Sequence, residues 1–248
     1  VMTIHRDGKE WEQEYSRGER KAALKSVGYS EHTGPVINFK PDMTIFSDIT
    51  EFDFDQINTR LRRTAFLNAG LQIFLRDFRG EDEIEIEHKY DGGLSEYVQS
   101  MNKNKEVIHE GVLHILGSKQ GDKGEVHVEA ALQWTDAYSE SVHCFTNIIH
   151  NSDGGTHLSG LKSSLTRTIN SYAQSRGLLK NVNSLSGDDI REGLSAVVSI
   201  KHPDPSFNAQ TKSKLVTSEV AGIVEQIVNE LSLIHISEPT RRYAISYA

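Results

Sequence analysis

Pro205-Ser206-Phe207-Asn208-Ala209-Gln210-Thr211-Lys212-Ser213-Lys214 lies between two segments of different periodicity. Before it, Leu194-Ser195-Ala196-Val197-Val198-Ser199-Ile200 is short, β-branched and almost wholly apolar, which predicts a buried strand. After it, apolar residues recur at Val216, Val220, Ile223, Val224, Ile227, Val228 and Leu231. That is the spacing of a helix that buries one stripe. Thr217 and Ser218 suit the start of this helix, and Glu219 suits its positive end. The order is therefore strand, proline-rich turn, polar loop with two lysines, helix. A lysine held beside a helix N-terminus can meet a phosphate; a lysine on a loop can equally be a solvated surface charge. The loop alone leaves both readings of Lys212 and Lys214 open.

The rest of the chain sets the frame. Its 248 residues allow one large domain or two of ordinary size. With 37% hydrophobic and 25% charged residues it can bury a core. The net charge of −8 argues against strong binding of DNA by this segment alone, although a locally basic face is compatible with it. The single cysteine, Cys144, excludes an internal disulfide, fits a reducing compartment and reads as a small buried hydrophobe. No apolar run is long enough to span a membrane, and no signal peptide is seen.

The first 46 residues read as strands and turns, with Asp7-Gly8 marking a hairpin and Val36 to Phe39 a short strand. A helix is expected from Asp53 or Asp55 to about Leu67, with Ile57, Leu61 and Ala65 on its apolar rail. Leu71 to Leu75 and Glu83 to Glu87 alternate as strands. A short helix follows Gly92-Gly93. Val107 to Leu116 is expected as a strand, Gly117 to Gly124 as a turn, and Val126 to Trp134 as a half-buried strand. Val142 to Ile149 is another strand. Then Asp153-Gly154-Gly155 precedes a helix carrying Leu158, Leu161, Leu165, Ile169 and Tyr172 on one face.

Several constellations invite chemistry. His109, His114, His127, His143, His150 and His157 crowd one stretch, but no pair has helical metal-site spacing with a glutamate and there is no Cys-x-x-Cys. No Gly-x-Ser-x-Gly elbow supports a hydrolase. Asp153-Gly154-Gly155 could cradle an anion through backbone N–H groups, or simply form a tight turn and helix cap. Asp188-Asp189 reads as a cap, and Arg191 and Glu192 as partners of their neighbours.

A family resemblance joins these pieces. Thr33-Gly34 with Phe39-Lys40-Pro41-Asp42, and Arg60-Leu61-Arg62 with Ala65-Phe66-Leu67-Asn68, resemble the end of the ATPase domain of the DNA gyrase B family. Ala131-Leu132-Gln133-Trp134, Cys144-Phe145-Thr146-Asn147, Asp153-Gly154-Gly155-Thr156-His157, Pro203-Asp204-Pro205 and Gln210-Thr211-Lys212 resemble its transducer domain. The likeness is collinear from about residue 1 to residue 231, and the B subunit of topoisomerase IV is closely similar.

The resemblance implies an α+β fold: the C-terminal part of a Bergerat-type (GHKL) ATPase domain over residues 1–90, then a transducer like the second domain of ribosomal protein S5 over 91–232. It implies a cytoplasmic, ATP-hydrolysing type II topoisomerase that passes DNA through DNA, with ATP and Mg2+ as cofactors. Its implied partners are DNA, the A subunit of gyrase and a second B subunit, with no membrane. Lys212 would be the catalytic contact to the γ-phosphate, with Gln210 assisting. Ile37 and Pro35 would fall at the adenine pocket, where the family usually has a threonine in place of Pro35; a proline supplies neither hydroxyl nor N–H. The metal ligands and the catalytic glutamate would lie upstream of Val1, so the fragment alone is expected to be inactive. Residues 233–248 continue no helical period, contain Pro239 and are read as a non-native tail. A competing reading is a structural or interaction module that keeps the fold without catalysis. An intact Gln-Thr-Lys loop favours the motor, because a scaffold has no physical need for it.

Overall fold

The computed structural model describes residues 1–47, 51–179 and 182–237, with side chains through residue 230. It divides into two compact units, Val1–Phe54 and Asp55–Ala248.

The first unit is built from β1 (Met2–Arg6), β2 (Lys9–Gln13), β3 (Tyr15–Ser16), β4 (Glu19–Arg20), β5 (Lys25–Tyr29) and β6 (Gly34–Ile37). Four of these form a sheet in the order β5-β2-β1-β6, while β3 and β4 make a separate two-stranded ribbon. Asp7 and Gly8 both have positive φ, 54° and 72°, the backbone of the tight hairpin expected between β1 and β2. Pro35 sits opposite Ile4 on the edge strand β6, the position in a sheet where a missing N–H is tolerated.

The second unit continues with α1 (Phe54–Phe66), β7 (Ile73–Asp77), β8 (Ile84–His88), α2 (Gly93–Met101), β9 (Leu113–Gly121), β10 (Gly124–Trp134), β11 (Ser141–Thr146) and β12 (Ile149–His150). Then come α3 (Thr156–Ser175), α4 (Gly187–Arg191), β13 (Leu194–Lys201) and α5 (Glu219–Ser237). Five strands form one sheet in the order β12-β11-β13-β10-β9, with β11 and β13 parallel and the other pairs antiparallel. Both faces are covered. Ala196, Val198 and Ile200 of β13 belong with Leu161, Leu165, Val220, Val224 and Val228 of α3 and α5. Val197 points the other way, with Ala131 and Phe145, into a second cluster closed by Phe66, Leu94, Tyr97 and Val98. This explains why β13 reads as a continuous apolar run rather than an alternating one. The two helices can lie close because Gly160 has no side chain. A Cβ there would stand 2.5 Å from the Ala221 carbonyl oxygen.

Three expectations change. The turn expected over Gly117 to Gly124 shrinks to Asp122 and Lys123, and the strand expected from Val107 begins at Leu113. Gly117 and Gly121 are strand residues chosen for close approach. A Cβ at Gly117 would meet Ile227 at 2.9 Å, and one at Gly121 would meet the Glu219 carboxylate at 2.7 Å. Helix α5 runs on to Ser237 instead of stopping at Leu231, since no glycine or proline interrupts it before Pro239. Residues 238–248 of the expected tail lie outside the described residues. The compact units divide at Phe54/Asp55. The end of α1 packs within the second unit, where Phe66 stacks on Tyr90 and Tyr97 with ring centroids 3.6 and 4.7 Å apart.

Candidate functional site

Residues 203–218 leave the central strand β13, cross the sheet's end and return as α5. A polar loop of this length needs anchors, and its anchors come from the segment between β12 and α3. The Asp153 N–H donates to the Ser213 carbonyl at 2.9 Å. The Leu215 N–H donates to Gly154 at 3.0 Å, and the Thr156 N–H donates to Leu215 at 3.1 Å. Glycine is required at this crossing. Gly155 has φ 139°, and a Cβ there would lie 2.2 Å from the Leu215 carbonyl oxygen. The Asp153-Gly154-Gly155 turn thus holds protein backbone, the use that the tight-turn reading describes.

The tip has its own anchor. Asn151, 2% exposed, donates from Nδ2 to the Lys212 carbonyl at 2.7 Å. Its Oδ1 accepts from Thr146 Oγ1 at 2.7 Å and faces His157 Nε2 at 3.1 Å. Thr146 and His157 are fully buried. Burial holds the His157 imidazole well below its ordinary range, at about 4, so at neutral pH it is uncharged and Nε2–H is the donor. Lys212 itself adopts a left-handed backbone with φ 57°, uncommon for a residue with a side chain. The Lys212 N–H donates to Ala209 at 2.9 Å, closing the turn behind it. A buried fork therefore fixes the main chain of Lys212.

Lys212 Nζ lies over the Phe207 ring, 5.6 Å from its centroid, and among the described residues no carboxylate pairs with it. Gln210 is exposed, and Thr211 borders a cleft of about 810 Å³ that Arg60, Arg63 and His150 also line. The structure thus brings Gln210 and Lys212 together on one loop. Pro35 and Ile37 lie on β6 of the first unit, both exposed, with Ile37 at 66%. Sequence reasoning does not find Asn151, Thr146 and His157 as anchors of this loop. Asn151 has no distinguishing local pattern, and only the paired chain reveals what it holds. Cys144 is a buried hydrophobe, 2% exposed, its thiol pushed up to about 12 by burial.

The family described as DNA gyrase B matches residues 93–240. The chain belongs to the DNA gyrase B family. The DNA gyrase B subunit of Enterococcus faecalis is 45% identical over 230 residues, covering 92% of this chain and 35% of that protein. The gyrase B subunit of Bacillus mycoides is 44% identical over 228 residues, covering 92% of this chain and 55% of that sequence. The chain therefore spans between about a third and about half of the length of such relatives. Among solved structures, the 43K ATPase domain of Thermus thermophilus gyrase B in complex with an aminocoumarin is 34% identical with a TM-score of 0.79. That match covers 99% of this chain and 65% of the other. The expected α+β fold of a gyrase B ATPase region is thus the fold this chain has.

Proposed function

We propose that the chain is the ATPase–transducer part of a DNA gyrase B subunit, which couples ATP binding and hydrolysis to passage of one DNA duplex through another. The observation that carries this reading is the fixed Gln210-Thr211-Lys212 tip. An unpaired ammonium is presented on a backbone pinned by buried Asn151, in a chain of the gyrase B family. A preorganised cation of this kind stabilises charge that develops on a transferring phosphoryl group without reorganising first. In this reading Lys212 donates from Nζ to a γ-phosphate oxygen and Gln210 assists. Pro35 and Ile37 line the nucleotide's base, without a polar contact from residue 35.

The loop's other end supplies the readout. Leu215 is hydrogen-bonded to Gly154 and Thr156, and α5 begins four residues later. A pull on Lys212 as the terminal phosphate binds or leaves is carried along a pinned backbone to α5, a local charge event with a distant consequence. ATP with Mg2+ supplies the phosphoryl group and its counterion. In this reading the Mg2+ ligands belong to another part of the parent protein. The partners are DNA, the A subunit of gyrase and a second B subunit, in the cytoplasm. The ATPase part ends near residue 90, and the transducer occupies 91–232.

The test is a chimera in which this chain replaces the aligned stretch of the Enterococcus faecalis protein. Lys212→Ala is expected to lower ATP turnover by about a hundredfold or more while the chimera folds as before. Turnover within twofold of the parent chimera would refute the role of Lys212. A scaffold that keeps the fold without catalysis would give that result.

A further inference from the structure

The base of the loop is closed by a pair of residues that the reading above does not use. His202 stands just past β13 and Glu219 opens α5, so residues 203–218 hang between them. His202 is 4% exposed. Its main chain is held twice by Asn147: the His202 N–H donates to Asn147 Oδ1 at 2.9 Å, and Asn147 Nδ2 donates to the His202 carbonyl at 2.8 Å. Its ring is held twice as well. Nδ1 accepts from the Asp204 N–H at 3.0 Å, so Nε2 carries the proton and donates to Glu219 Oε1 at 2.9 Å.

Glu219 has a second tie. Its Oε2 accepts the Asp122 N–H, in the β9–β10 turn, at 2.6 Å. That backbone bond first, and His202 second, hold the carboxyl below the usual carboxylate range. The turn fits around the same point. Gly121 leaves room for the carboxylate, and a Cβ at Gly124 would already lie 3.1 Å from Pro203. Lys123 pairs with Asp204 at the surface. One carboxylate therefore joins three elements: the exit of β13, the first turn of α5 and the β9–β10 hairpin.

We infer that His202 and Glu219 are positioning residues for Lys212: by closing the loop at its base they make the loop and the start of α5 move as one piece. The inference rests on the phosphate-contacting reading of Lys212. Asn151 pins the tip and the His202–Glu219 pair pins the two stems, so Lys212 is held from both ends. Geometry fixed in this way serves the reacting complex more than initial binding.

The first experiment uses the chain itself, with hydrogen exchange measured for the wild type, Glu219→Ala, His202→Ala and the double variant. Each single change is expected to speed exchange about tenfold at the bonded amides of Asn208, Lys212, Leu215 and Val216. The β10 and β13 amides should not change, and the double variant should lose no more than either single. Unchanged loop exchange overturns the inference. So does a loss spread equally over β10 and β13, which would make the pair a general structural contact. His202→Gln, whose side-chain amide can still donate to Glu219, is expected to keep loop protection and serves if the alanine variants do not fold. The second experiment uses the Enterococcus faecalis chimera. Glu219→Ala is expected to lower kcat for ATP about tenfold with KM within twofold, and His202→Gln to retain most of kcat. If Lys212→Ala abolishes turnover and Glu219→Ala does not alter kcat, the positioning role fails and the phosphate reading stands. If Lys212→Ala itself has no effect, the phosphate reading fails and takes the positioning role with it, while the exchange data still report the closure.

Discussion

In the first unit, Ile4 and Trp11 face each other in register across β1 and β2, while Val36 and Ile37 on β6 are 55% and 66% exposed. In the second unit, Val197 and Val198 on neighbouring positions of β13 are both wholly withdrawn from water, one on each face. Among the described residues every buried apolar side chain belongs to the second unit; the first buries only Gln13, whose amide donates to the Ala22 carbonyl. The same kind of ladder thus exists in two energetic settings. Backbone hydrogen bonds give a small net gain, of the size of the entropy lost in ordering each residue. Where helices cover the sheet, burial adds a driving force proportional to area. Where the unit itself supplies no cover, register is specified by hairpin turns and strand pairing alone. The loop of residues 203–218 hangs from the well-buried sheet, which suits the proposed role of holding the Lys212 ammonium still.

The comparison can be broken where the second unit is tightest. Gly155→Ala puts a methyl group where the Leu215 carbonyl stands, at a backbone angle that L-residues avoid. It should destabilise the second unit by more than about 4 kcal/mol, within the range of mutations that unfold a domain outright. Urea unfolding followed by tryptophan and far-UV signals reads the outcome. Stability within about 1 kcal/mol of the wild type would show that the crossing of the two loops is not a fixed feature.

Acid gives a smaller effect with a defined sign. Burial keeps His157 near 4 in the folded chain, whereas an unfolded histidine titrates near its ordinary value of about 6.5. Below that value the unfolded chain binds a proton that the folded one refuses. Stability from this residue is therefore intact above about pH 6.5, lost progressively as pH falls to about 4, and constant below, with a full loss of about 3 kcal/mol. His143, held near 4 by burial and then by Arg63 and His150, titrates in the same window and direction. The contribution of His157 is read as the difference in pH slope between the wild type and His157→Gln. Equal slopes would show that His157 is protonated in the folded state.

The elements most legible in the sequence are those with one strong period and one covered face. The β13 run, the stripe of α5 and the apolar face of α3 each follow from spacing, because burial repeats at the pitch of the element. The Asp7-Gly8 hairpin is legible for a different reason, a backbone demand that few residues meet. What stays hidden are contacts between distant positions. Glu219 reads as a helix-start acid, yet its oxygens go to Asp122 and His202. Gly117 and Gly121 read as turn glycines, yet they make room for Ile227 and Glu219. Asn151 carries no local signature at all, because its partners Thr146, His157 and Lys212 converge only when β11, α3 and the loop meet.

The finest test of the contrast deletes the same methylene from each unit. Ile227 is 2% exposed and rests against Gly117, so Ile227→Val leaves a small void between α5 and β9. It should cost about 1 kcal/mol, seen as a lower urea midpoint with an unchanged slope. Ile37 is 66% exposed, and Ile37→Val removes a group that water already surrounds. Its cost should stay within about 0.5 kcal/mol, read from exchange at the β1 amides paired with β6. A result at Ile37 as large as that at Ile227 would mean that the first sheet is covered in solution by something outside the described residues. The two units would then differ only in what supplies their cover, and the energetic contrast between them would no longer hold.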